Sequence, residues 1–290
     1  MRKSMDKPDI MAPAGFMAAR QQLLQNQTSA LDSYVQGIAA VSALAPVRRQ
    51  ELFSAEEDWV RRAIGSGSPS ELFDWALRLL QHAHPVPGMG PKATALNEDI
   101  PVPVLIVAGG VKTLNDDDLH NLTNMLALAF SGLRGTVISG GTDGGVPGCV
   151  GAATAVQGQK RSFKLIGVRP EHLPAGVRAD SRYDLAISAG RDRFSLTQVL
   201  HYWEMLSAAG VPPAEVRLLG YGGGTISAFE YRLALALGGI VGVVEGSGAA
   251  AEALLNDPFW RCLPNLFALS CNGKTLQDFI HGQLQETTPP

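Results

Sequence analysis

Four glycine-bearing turns, each placed directly after a short apolar run, hold the residues whose types and spacing suit chemistry. Gly109 and Gly110 follow residues 104–108. Gly140, Gly141, Thr142 and Asp143 follow residues 136–139, Gly222, Gly223, Gly224 and Thr225 follow residues 216–219, and Glu245, Gly246, Ser247 and Gly248 follow residues 240–244. Glycine lets backbone N–H groups approach an anion closely, and a helix starting at such a turn adds about half a positive charge. The chemistry this suggests is phosphate or diphosphate binding. A single turn of this kind is equally explained as a tight bend, but several in register favour a ligand.

The side chains beside these turns carry two readings each. The Thr142 hydroxyl suits a phosphate, and Asp143 suits a ribose hydroxyl or a loop cap. Arg169, just past the apolar run 163–168, is placed to neutralise a phosphate or to point into solvent. Glu245 suits a ribose diol or an adenine amino group, or else the positive end of a helix. Ser247 stands where an N-cap belongs, and Thr225 is placed to cap a helix in which Ile226, Phe229, Leu233 and Leu237 recur at helical spacing. Glu230 is the first candidate acid or base if the protein is hydrolytic, and otherwise a solvated helix carboxylate.

The elements that must position these turns alternate between short apolar strands and helices of moderate length. Strands are expected near residues 104–108, 136–139, 163–168, 183–189, 216–219 and 240–244, with an edge strand at 266–269. Helices are expected at 150–157, 194–209 and 276–284, and after the other turns. The pattern predicts an α/β fold: a Rossmann-like, doubly wound, mostly parallel sheet. Right-handed connections in such a sheet bring the loops to its carboxyl edge. Residues 1–84 read as helical, 85–101 as a Pro- and Gly-rich linker, and 102–290 as the ligand-binding domain. The helical region fits a cap, an oligomerisation arm or a docking piece.

Composition narrows the class. Hydrophobic residues make up 46% and charged residues 18%, and the net charge of −3 argues against coating nucleic acid, which needs a basic stripe. Cys149, Cys262 and Cys271 are odd in number and lack a metal-binding spacing, so a reducing cytoplasm and no structural metal are expected. There is no apolar signal-peptide core, and the apolar stretch 233–244 is broken by glycines, so no membrane span is expected. Apolar helical surface beyond what one sheet covers points to a homo-oligomer.

Three segments, VISGGTDGGVPGCVGAA at 137–153, KLIGVRP at 164–170 and GGIVGVVEGSGAAAEALL at 238–255, together resemble the SLOG superfamily. The similarity is to its LSDAT branch, found in TRPM channels and in bacteria, and it spans roughly 102–257. The resemblance implies a nucleotide-derived ligand, such as an ADP-ribose-like molecule or a cyclic nucleotide, with no cofactor required. It also implies a sensor role in signalling or antiphage defence, with an effector partner engaged through the N-terminal helices. LOG-type phosphoribohydrolases, which cleave nucleoside monophosphates, are similar but carry a glutamate soon after their Gly-Thr. Here Glu230 arrives late, rotated by about 100° for each intervening residue, so catalysis does not carry over position for position.

Overall fold

A computed structural model describes residues 100–110, 114–189, 192–194, 196–257, 260–262 and 265–284. The helices expected within 1–84 and the linker up to residue 99 lie outside the described residues.

Among the described residues, seven strands form one sheet: β1 (Val104–Gly109), β2 (Arg134–Ser139), β3 (Ser162–Arg169), β4 (Leu185–Ser188), β5 (Val216–Tyr221), β6 (Ile240–Val244) and β7 (Leu266–Leu269). Their order is β4-β3-β2-β1-β5-β6-β7, and every pairing is parallel. Val104 stands opposite Thr136 on one side and Val216 on the other. The chain steps outward from β1 to β4 and then returns to the far side of β1. Loops leaving β1 and β5 therefore diverge to opposite faces, which opens a crevice at their carboxyl ends.

Among the described residues, six α-helices cover the two faces. On one lie α1 (Asp116–Ala129), α2 (Gly145–Gln157) and α6 (Gly273–Ile280); on the other lie α3 (Leu196–Ala208), α4 (Thr225–Leu237) and α5 (Ala249–Asn256). Alternation along β1 decides the partners: Leu105 and Val107 join Leu122, Val150 and Leu276, while Val104, Ile106 and Ala108 join Val199, Phe229 and Leu254. Both faces are buried, as continuous apolar runs require.

Local chemistry sets the helix starts. Asn115 and Asp118 form a capping box at α1, and Asn272 accepts the Thr275 N–H at α6. The second helix begins at Gly145, earlier than the expected 150. Pro147 falls in its first turn, where its missing N–H costs no intrahelical bond. The last helix likewise starts earlier, at Gly273 rather than 276, because Asn272 supplies the cap. No helix among the described residues is long and apolar enough to cross a membrane.

Candidate functional site

At the crevice between β1 and β5 the two C-terminal glycine turns prove to be one unit. Ser247 Oγ accepts the Gly222 N–H at 2.9 Å and donates to Val244 O at 2.6 Å. The Ala251 and Ala250 N–H groups at the start of α5 bond to Gly222 O at 3.0 Å and Gly223 O at 3.1 Å. The first-turn amides that would have faced an anion are thus committed to the neighbouring turn. The turn at 245–248 braces the turn at 222–224. Ser247 accordingly does not cap α5, whose N-cap is Gly248. Thr225 is the exposed first residue of α4 rather than its cap, since Gly224 occupies that position.

Gly223 carries φ +90°, and a Cβ on it would strike Ser227 of α4. Only glycine fits there. The Tyr231 hydroxyl, fully buried, donates toward Gly222 O (3.2 Å) and Ala108 O (3.3 Å), tying the β5 turn to the end of β1. Burial pushes the Tyr231 phenol far up, so it stays a donor. Gly109 and Gly110 complete this wall, with Gly110 O accepting the Val146 N–H at 3.4 Å.

The turn after β2 is held from above by a strap, residues 170–184. Thr142 forms an antiparallel bridge with Ala179, the Asp143 N–H bonds Arg178 O at 3.1 Å, and the Asp180 N–H bonds Gly141 O at 3.1 Å. Asp180, buried, receives both Arg182 Nε (2.8 Å) and Nη2 (2.7 Å), while Nη2 also reaches Gly148 O at 3.2 Å. The Tyr183 hydroxyl donates to Pro147 O at 2.8 Å. Asp143 pairs with Arg178 Nε at 2.8 Å near the surface. Thr142 is 1% exposed and Gly141 is buried, while Gly140 is half-buried and is the most open part of this turn. In the sequence, the alternation Arg178, Asp180, Arg182 is the one signal of this strap.

Arg169 leaves the carboxyl end of β3 and lays its Cδ 3.5 Å from where a Gly141 Cβ would be. Its Nε is buried and has no hydrogen-bond partner. Among the described residues it is the one buried cationic donor left unsatisfied. The helix behind the turn, α2, has no side-chain cap and no acidic residue in its first turn. An anion is the group this arrangement is short of.

The two acidic candidates lie elsewhere. Glu230 sits in the seam between α3 and α4, where it accepts the Tyr202 hydroxyl at 2.8 Å; burial pushes its carboxyl up to about 7, partly offset by that hydrogen bond. Glu245 is exposed and lines a shallow cleft of about 280 Å³ at the β7 edge with Glu252, Asn256 and Arg261. Neither joins Arg169. No group of three or more His, Cys, Asp or Glu among the described residues is arranged to hold a metal ion.

The parallel sheet, its switch-point crevice and the glycine turns define a Rossmann-like α/β domain. Residues 102–196 match the family model described as SLOG in TRPM, prokaryote. This stretch of the α/β domain resembles a SLOG domain of that prokaryotic type. Among solved structures, the molybdenum cofactor carrier protein from Chlamydomonas reinhardtii is 18% identical, with a TM-score of 0.44, and the alignment covers 63% of this chain and 98% of that one. The molybdenum cofactor binding protein from the phototrophic bacterium Rippkaea orientalis is 17% identical, with a TM-score of 0.44 over 62% of this chain and 96% of that one. No curated protein matches the chain.

Proposed function

We propose that the domain is a binding or sensing module for a nucleotide-derived ligand, of ADP-ribose or cyclic-nucleotide type, in a bacterial signalling or defence system. The observation that carries this reading is the buried, unpartnered Arg169 Nε over Gly141. Leaving a buried donor unsatisfied costs about 1–3 kcal/mol, and more when it is charged, so a ligand oxygen that supplies the acceptor gains that amount. A phosphate seated on Arg169 and the Gly140–Gly141 backbone would extend its nucleoside toward Gly109, Gly110 and Gly222–Gly224 across the crevice. The match of residues 102–196 to the SLOG family model supports the same class of ligand.

The hydrolytic alternative requires an acid or base at the crevice. Glu230 is turned toward Tyr202 inside the helical layer, and Asp143 is paired with Arg178. On this reading the site binds its ligand without cleaving it. Effector coupling and self-association remain parts of this proposal, as does a cytoplasmic location.

The test is a thermal-shift screen of the full chain against AMP, ADP, NAD, ADP-ribose and cyclic ADP-ribose. A ligand at one hundred times its Kd adds about 2.7 kcal/mol. Stabilisation by an ADP-ribose-type ligand recovered unchanged is the expected result, and Arg169→Ala should abolish it while leaving the unliganded unfolding temperature in place. Release of adenine from AMP would make the protein an enzyme instead. Full binding by Arg169→Ala would place the phosphate elsewhere.

A further inference from the structure

Tyr231 fixes which side of α4 meets the sheet. A Cβ on Gly220 of β5 would lie 2.8 Å from Tyr231 Cζ, and the Tyr231 hydroxyl reaches Ala108 O of β1. At about 100° per residue, the positions on the opposite side are Ile226, Phe229 and Leu233. A helix lying on a sheet turns that side to water and carries polar residues there. This one carries an apolar stripe.

The stripe is also covered. Phe229 is 0% and Leu233 5% exposed, and burial is unbroken from Ser227 through Leu235, taking in Glu230 and Arg232. Among the described elements the main contacts of α4 are with α3 and α5 and with β1, β5 and β6. The two helices stand beside it in the same layer and the strands lie beneath it. Neither accounts for the side facing away from the sheet.

We propose that a segment of residues 1–99 lies across the outer side of α4, and that the stretch holding Leu72, Trp75 and Leu79 makes the apolar contact. Those residues recur at intervals of three and four, the spacing that predicts one apolar face of a helix, and so offer a stripe to match Ile226, Phe229 and Leu233. The chain enters the domain on the same side: Ile100 is buried in the core that contains Val199, Phe229 and Leu254. The stretch from Leu79 to Ile100 can span roughly 70 Å when extended, against about 20 Å for the length of α4, so reach is no obstacle. A tether of this length also keeps the segment at a high effective concentration, which favours it over a second copy. Because α4 begins directly after Gly224, the segment and the crevice would share one rigid element.

A photo-crosslinking residue placed at Leu233 in the full chain tests this, with Ile226, which is half-buried, as a second position should the first disturb folding. The expected result is crosslinks of single-chain mass to peptides from residues 1–99, centred on 72–79. The triple variant Leu72→Glu, Trp75→Glu, Leu79→Glu should lower their yield several-fold without changing the circular dichroism of the sheet domain. Crosslinks found only in dimers, or only to peptides from residues 100–290, would overturn the proposal. So would an unchanged yield in the triple variant.

Discussion

Ser247 holds Gly222 in place by accepting its N–H at 2.9 Å while donating to Val244 at 2.6 Å. One hydroxyl thereby connects the end of β6 to the turn that starts α4. With the α5 amides on Gly222 O and Gly223 O, it makes the β5 wall of the crevice rigid before any ligand arrives. Such preorganisation lowers the ordering cost of binding.

Ser247→Ala removes this acceptor and leaves the Gly222 N–H, which is buried, without a partner. The expected loss is about 1–2 kcal/mol of stability, since the serine itself is only half-buried. Urea unfolding measures it. A weaker ligand-induced thermal shift should accompany the loss, because the glycine turn then has to be ordered on binding.

Gly141→Ala tests the turn under Arg169. The residue has φ +67°, and a Cβ would lie 3.0 Å from the Gly167 Cα and 3.5 Å from Arg169 Cδ. The left-handed backbone alone costs an alanine about 1–2 kcal/mol, and neither backbone can retreat without shifting the pairing of β2 with β3. A drop of roughly 2 kcal/mol or more is expected by denaturant titration, together with displacement of the Arg169 side chain and loss of anion binding. An alanine variant with wild-type stability would contradict the backbone assigned to this turn.

The strap gives a third prediction. Asp180 is buried but Arg182 is about one-third exposed, so the roughly 3–5 kcal/mol typical of breaking a fully buried pair must be discounted for solvent screening. Asp180→Asn should therefore cost about 1–3 kcal/mol. Hydrogen exchange should rise in residues 170–184 and in the turn at 140–143, and not in β5 or β6, which the strap does not touch.

The sheet was legible because its strands are buried on both faces and so read as unbroken apolar runs: all seven expected runs form strands, and each glycine turn lies at the carboxyl edge. The organisation of the site was less so. Glu245 and Ser247 share a turn with the glycines, yet one points to the β7 edge and the other inward to Gly222, a distinction that depends on backbone twist rather than on residue type. The strap follows the same rule: Asp180 and Arg182 look like any loop charges until tertiary contact with Gly141 and Gly148 buries them. In α4, the spacing of Ile226, Phe229 and Leu233 revealed a helix, but it could not tell which side meets the sheet, and Tyr231 decides that.

Glu230 carries the remaining prediction. Its carboxyl is raised to about 7 in the folded protein by burial, against an ordinary value near 4.5. The folded state therefore holds a proton that the unfolded state has already released between these values. Stability from this group is fully present below about 4.5 and is lost as pH rises through about 7. Glu230→Gln keeps an acceptor for the Tyr202 hydroxyl but cannot ionise. Its stability should match that of the parent at the acid end of the window and exceed it above neutrality, as read from urea midpoints at a series of pH values. Phosphate binding through Arg169 should be the same in both proteins, because the α3–α4 seam lies apart from the crevice. A parallel pH dependence in the two proteins would show that Glu230 is ionised throughout, and with it that the seam is open to water.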